Sequence, residues 1–269
     1  MTTPLIILFI SSIAIGLLST IFVVIIVSVD NWEYVSFNQE TLQNINKSCS
    51  SQNSQPSCQV VQISADPILF QYDDYRNKKQ NNDSNYIYSY QSGLWRTCDC
   101  LTDQLRYKYV KASSSNFDGQ KCFTFVTDYN EDSDLLASTP GAKQIARLHN
   151  SAASCYIVVL IDLSSATVVG IIGLIQKQVA SCMVTGVLYL MAALFGVFGL
   201  SMFHTKDFYE KYHCYGLEEI PSKLCEAKEV ELGYAVPLAW LAVFTCTLSS
   251  LVWLCVSRAL RVIRAKTML

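Results

Sequence analysis

Histidine is scarce in this chain, with three among 269 residues, at His149, His204 and His213. That scarcity removes the commonest general base, and the sequence holds no HExxH, GxSxG, phosphate-binding loop or paired-histidine pattern. Catalysis is therefore not expected. Charge is also sparse: charged residues make up 16% of the chain and the formal net charge is -2. No basic stripe stands out that would grip a phosphate backbone, so a nucleic-acid partner is not expected. Internal repeats are missing. So is finger spacing around His204, His213, Cys214 and Cys225, where two cysteines are better explained by a disulfide than by zinc. No metal or cofactor is expected.

What the chain has in quantity is apolar sequence, 51% of its residues, gathered into blocks. Residues 4–29 contain no charge and are long enough to cross ~30 Å of hydrocarbon. They lack a basic leading region, and their apolar run is about twice that of a secretory signal, so an uncleaved helix is expected. Residues 151–175 carry one charge, Asp162, while residues 179–203 and 234–256 carry none. Pro237 falls near the first turn of the last span, where a missing N–H is tolerated. Four spans result. Residues 176–178 leave room only for a tight turn between the second and third, which predicts an antiparallel hairpin.

Arg258, Arg261, Arg264 and Lys266 crowd the tail, residues 257–269, beside the last span. Basic residues at that position stay in the cytosol, so both termini of a four-span protein are expected inside. The loops 30–150 and 204–233 are then outside, with Lys143 and Arg147 counting mildly against this orientation. Two further signs agree with it. Asn46 and Asn82 begin glycosylation sequons, which have meaning only on the outer side. Cys49, Cys58, Cys98, Cys100 and Cys122 lie in the first loop, and Cys214 and Cys225 in the second, all disulfide candidates in an oxidising compartment. A multi-pass protein of the plasma membrane is expected.

The first loop is more than a connection. The stretches NYIYSYQSGLWRTC and QKCFTFVTDY alternate aromatic or β-branched residues with polar ones, as half-buried strands do. SSQNSQPS and RNKKQNNDSN read as polar excursions of low complexity. A small antiparallel sheet is predicted. Asp74, Asp83, Asp128, Glu131, Asp132 and Asp134 make parts of this loop acidic, a surface suited to a basic partner.

Asp162 is the only acid inside a span. The bland reading hydrogen-bonds it to Ser164, Ser165 or Thr167, and the sharper one gives it to a partner's helix. A transport path would need polar residues repeated along several spans, which this chain does not have. Ala192 and Gly196 instead sit at a helix-packing interval. The terminal Thr267-Met268-Leu269 has the form a PDZ scaffold reads by strand addition, while the nearby arginines suit anionic lipid equally well.

Trp32 just after the first span, then Gly93-Leu94-Trp95, then Cys98 and a later Cys122, resemble the W…GLW…C…C signature of the claudin superfamily. That group includes the claudins, the peripheral-myelin-protein family and the calcium-channel gamma subunits with their glutamate-receptor-regulating (AMPA-receptor regulatory) relatives. SGLWRTC is most similar to this last branch, although Asp99 separates two cysteines that usually adjoin there. The first loop is also longer than a claudin's, and the interval from Cys98 to Cys122 is wider. The resemblance implies a four-helix transmembrane bundle with an extracellular antiparallel β-sheet. It also implies that Trp32, Leu94 and Trp95 wedge between sheet and helix tops, and that Cys98 bridges Cys122. Cys100 could bridge to Cys49 or Cys58, and Cys214 to Cys225, which leaves one loop cysteine over unless Cys155 takes it; the sequence does not fix this connectivity. The function implied is that of an auxiliary subunit for a pore-forming channel or receptor, with a claudin-like junction protein as the alternative.

Overall fold

The structure, a computed structural model, describes residues 3–51, 59–62, 69–73, 85–112, 121–124, 140–213 and 224–267. The chain begins with α1 (Thr3–Ser28), β1 (Glu33–Phe37) and α2 (Gln39–Ser51), followed by β2 (Gln59–Gln62), β3 (Leu69–Asp73) and β4 (Asn85–Tyr88). Next come β5 (Tyr90–Ser92), β6 (Arg96–Asp99), α3 (Asp103–Ala112) and β7 (Cys122–Thr124). The chain continues with α4 (Pro140–Gln176), α5 (Val179–Tyr212), a 3-10 turn (Cys225–Ala227), β8 (Lys228–Leu232) and α6 (Ala235–Thr267). Two compact units emerge. One is helical, formed by Met1–Val29, Leu148–Thr205 and Tyr234–Leu269; the other holds the sheets, in Asp30–Arg147 and Lys206–Gly233.

Among the described residues four helices are long and apolar enough to cross a membrane. Three of them outrun their apolar blocks. α4 begins at Pro140 rather than near residue 151, α5 continues to Tyr212 rather than stopping near 203, and α6 runs to Thr267 rather than ending near 256. The reason is that hydropathy marks the hydrocarbon and not the helix. Once nucleated, a helix propagates over polar residues at little cost. Pro140 suits a first helical position, where its missing N–H is not needed. The turn between α4 and α5 is as short as expected: Lys177 takes a positive φ of 50°, and Gln178 N–H donates to the Gly173 carbonyl at 3.0 Å.

Hydroxyls inside these helices hydrogen-bond back to their own turns, as Ser19 Oγ does to the Ile15 carbonyl at 2.9 Å and Thr20 Oγ1 to the Gly16 carbonyl at 2.9 Å. That satisfies them where no water is present. Ile7, Ile10, Leu17 and Ile21 of α1 stay exposed, with Ile161 and Ile172 of α4, Leu194 and Phe198 of α5, and Phe244 and Leu251 of α6. Apolar surface on this scale suits lipid, not water. α1 lies along α6. Ala192 is 1% exposed, and a Cβ added at Gly196 would come within 2.9 Å of Val243 Cγ2 on α6, so this stripe of small residues is a helix contact. Gly196→Leu is expected to force α5 from α6 and destabilise the bundle by roughly 1–3 kcal/mol. A lower melting temperature in detergent, with the disulfides unaltered, would register this.

The sheet unit differs from the single sheet predicted. It contains a five-stranded antiparallel sheet in the order β7-β6-β5-β1-β8 and a three-stranded one in the order β2-β3-β4. The NYIYSYQSGLWRTC stretch supplies strands to both, since only the buried Ser89 separates β4 from β5. β1 and β8, the first from just after α1 and the second from the second loop, were not foreseen. Their segments EYVSF and KEVEL are too short and too charged to declare themselves, and pairing stabilises them. Asn38 ends β1 and caps α2, its Oδ1 accepting from Glu40 N–H at 3.0 Å and Thr41 N–H at 3.2 Å. Phe37, Leu42, Ile87, Leu224 and Ala227 form the apolar core beneath. SSQNSQPS and RNKKQNNDSN lie largely outside the described residues, as do Asp74, Asp83, Asp128, Glu131, Asp132 and Asp134.

Candidate functional site

The motif residues converge in the five-stranded sheet. Trp32 is fully buried; its N–H donates to the Ser92 carbonyl at 2.9 Å and its carbonyl accepts from Gly233 N–H at 2.8 Å. Trp32 thus ties together the ends of β1, β5 and β8. A side chain at Gly233 would collide with the Asn31 carbonyl, so that crossing requires glycine. Between β5 and β6 the chain turns through Gly93-Leu94-Trp95, closed by Gly93 N–H donating to the Arg96 carbonyl at 2.8 Å. Leu94 is 1% exposed and Trp95 half-buried. Arg96, next in the motif, donates from Nε to Asp30 Oδ2 at 2.7 Å.

Cys98 and Cys122 face each other across β6 and β7 and form a disulfide. Cys100 does not follow the expected pairing with Cys49 or Cys58: it keeps a free thiol. Its N–H donates to the Ser89 carbonyl at 3.0 Å, which carries the β5–β6 register one pair beyond Tyr90 and Asp99. Burial, and then the nearby Asp99 carboxylate, push that thiol up from its ordinary range. Cys225 is disulfide-bonded, which also removes it as a zinc ligand. The side chain of Cys49 and all of Cys58 and Cys214 lie outside the described residues.

Asp99, the residue that separates the two cysteines, has its own task. Arg106 of α3 reaches back to it with Nε to Oδ2 at 2.9 Å and Nη2 to Oδ1 at 2.6 Å. The same guanidinium donates to the Leu101 carbonyl at 2.8 Å and to Asp103 at 2.7 Å. Both partners are largely buried, Arg106 at 8% and Asp99 at 7% exposure. Asp99 raises the Arg106 pKa, and the pair locks α3 onto the end of β6. Asp99→Ala strands a buried guanidinium with only Asp103 and a carbonyl. A loss of about 2 kcal/mol is expected, seen as earlier proteolysis or unfolding with the Cys98–Cys122 bridge still formed.

A second charged cluster was missed in the sequence altogether. Lys206 and Glu210, one helical turn apart on α5, meet Glu33 of β1 and are 2%, 2% and 1% exposed. Lys206 Nζ lies 2.6 Å from Glu33 Oε1 and 3.5 Å from Glu210 Oε1. Lys228 of β8 adds a second positive charge, its own pKa lowered by burial. These residues belong to the sheet unit, beyond the apolar stretch of α5. Burial and the neighbouring Glu33 push the Glu210 carboxyl up to about 7. The signal was present as Lys206 and Glu210 at i,i+4 just past a span, but such a pair ordinarily reads as a solvated face. Only the sheet placed over it makes it a buried lock.

The remaining candidates are dispersed. Asp162 is half-buried on α4, and two of the three hydroxyls proposed for it bond elsewhere: Ser164 Oγ donates to the Leu160 carbonyl and Thr167 Oγ1 to the Leu163 carbonyl at 2.8 Å. His204 stacks on Trp240 with centroids 6.3 Å apart, and His213 lies 5.4 Å from Tyr209, so each has an aromatic neighbour. The backbone of Asn46 is helical, within α2, while Asn82 lies outside the described residues. Thr267 ends α6 as helix, so the strand addition envisaged for Thr267-Met268-Leu269 requires that turn to unwind; Met268 and Leu269 lie outside the described residues.

Four membrane-length helices and a disulfide-bridged antiparallel sheet, built around a buried tryptophan and a GLW turn, define a multi-pass membrane protein of claudin-like fold. The family model described as PMP-22/EMP/MP20/Claudin tight junction matches residues 17–255. The chain belongs to that family. No curated protein matches it individually.

Proposed function

We propose that the protein is a non-catalytic auxiliary subunit of a pore-forming channel or receptor, an ionotropic glutamate receptor or a voltage-gated calcium channel. The sheet unit faces outside the cell and both termini face the cytosol. The observation that carries this reading is the SGLWRTC stretch, which looks more like the gamma-subunit and receptor-regulatory branch than like claudins proper. The first loop is longer than a claudin's, and glycans at Asn46 and Asn82 would obstruct close contact between cells. The mechanism is population shift: the exposed helix faces and the outer sheet bind one gating state more tightly than another. A PDZ scaffold that reads Thr267-Met268-Leu269 would concentrate the complex at one membrane site.

The test is co-expression with candidate glutamate receptors and calcium channels, combined with purification in mild detergent. Altered currents together with stoichiometric co-purification support the reading. Unchanged currents, with the protein alone forming strands at cell contacts, would replace it with the claudin-like junction function.

A further inference from the structure

β8 is an edge strand, and the register fixes which backbone groups it offers. Gly233 N–H donates to the Trp32 carbonyl and Asn38 N–H to the Ala227 carbonyl, at 2.8 Å each. Both pairs share the register in which Tyr34 faces Glu231 and Ser36 faces Glu229. In an antiparallel ladder hydrogen-bonded and non-hydrogen-bonded pairs alternate. Glu229 and Glu231 therefore exchange their bonds with β1, and the N–H and C=O groups of Val230 and Leu232 are directed away from it. Among the described residues no strand pairs with that side. No proline or bulge interrupts Lys228–Leu232, and Leu232 is 47% exposed.

The side chains decide what can add to this edge. Glu229 and Glu231 share one face and are exposed, and Glu226 is exposed in the turn before. Asn38 Nδ2 holds Glu229 by a bond to Oε1 at 2.8 Å, so that carboxylate is oriented. A second copy pairing antiparallel about Val230 would set Glu229 directly opposite Glu231 twice, an unfavourable arrangement of like charges. An extended segment bearing lysine or arginine at alternate positions gains at the same two places. The acids thus disfavour self-association through this edge. We propose that the outer edge of β8 is a strand-addition site for an extended basic segment of a partner protein. This goes beyond the auxiliary-subunit reading and does not depend on it.

The experiment uses the full chain in nanodiscs of zwitterionic lipid and two probe peptides, acetyl-KVKVKVK-amide and acetyl-EVEVEVE-amide, with hydrogen exchange followed over residues 228–232. The basic peptide is expected to slow exchange there at least tenfold, and the acidic one to leave it unchanged. Leu232→Pro removes an outward N–H that β1 does not use, so protection by peptide should vanish while β1 and β5 stay protected. The double variant Glu229→Lys with Glu231→Lys should reverse the preference between peptides, which checks the site without a proline. Equal protection by both peptides, protection by neither, or no effect of either variant would overturn the proposal. So would concentration-dependent protection in the absence of peptide, which would assign the edge to a second copy. None of these results would touch the channel recordings that test the auxiliary-subunit reading.

Discussion

Lys206→Met is expected to cost the sheet unit about 3–5 kcal/mol, the largest single-residue effect in the molecule. The ammonium is buried between Glu33 and Glu210, at 2.6 and 3.5 Å, and its removal leaves two buried carboxylates with Lys228 alone to offset them. Replacing the cluster as a whole, with Glu33→Gln, Glu210→Gln and Lys228→Met alongside, should recover most of the loss, because no uncompensated charge then remains. Thermal unfolding in detergent, read by protease resistance of the sheet unit, distinguishes the two. The same cluster sets a pH dependence. Glu210 holds its proton more tightly folded than unfolded, its pKa moving from 4.5 to about 7. Its contribution is complete below pH 4.5 and is lost as pH rises through about 7. Stability should fall over that window in the native chain and stay flatter in Glu210→Gln. A native profile that rises through the window instead would contradict the assignment.

Cys98→Ser is expected to destabilise the sheet unit by about 2–4 kcal/mol, since the bridge to Cys122 closes β6 on β7 across 24 residues of sequence. Among the described residues β7 is a three-residue edge strand, with too little pairing of its own to stay in place. Non-reducing electrophoresis and surface labelling make the check. The Cys98→Ser chain should migrate as one lacking that bridge and reach the surface in much smaller amount. Cys122→Ser should behave alike, except that its released Cys98 thiol and Cys100 lie two residues apart and invite non-native pairing. Cys100→Ser, which removes a thiol that is already free, should be close to neutral. Equal loss in all three variants would mean that Cys100 is bridged after all.

The helical unit was legible because its constraint is one-dimensional. An uncharged run such as residues 4–29 has few ways to satisfy its backbone in hydrocarbon, and a helix is the simplest. The GLW turn and Cys98 with Cys122 were legible as a resemblance, and the sheet that positions them was half legible from the alternation in NYIYSYQSGLWRTC. What escaped was everything set by contacts between distant segments. β1 and β8 are five-residue strands that exist because they pair, across about two hundred residues of chain, and neither looks like a strand alone. Lys206 and Asp99 look like ordinary surface charges until a strand covers one and a guanidinium reaches the other. Helix ends escaped for a different reason, since α4, α5 and α6 continue into polar sequence where hydropathy says nothing.

Membrane sidedness of the sheet unit underlies every functional statement made for this protein. An epitope inserted among residues 74–84, a polar stretch away from the motif, and a second at the carboxyl end measure it directly. On intact cells an impermeant antibody should bind the first, and the second only after the membrane is opened. Binding to the carboxyl-terminal epitope on intact cells, with the inserted one silent, would place the sheets in the cytosol. A partner's ectodomain would then be out of their reach.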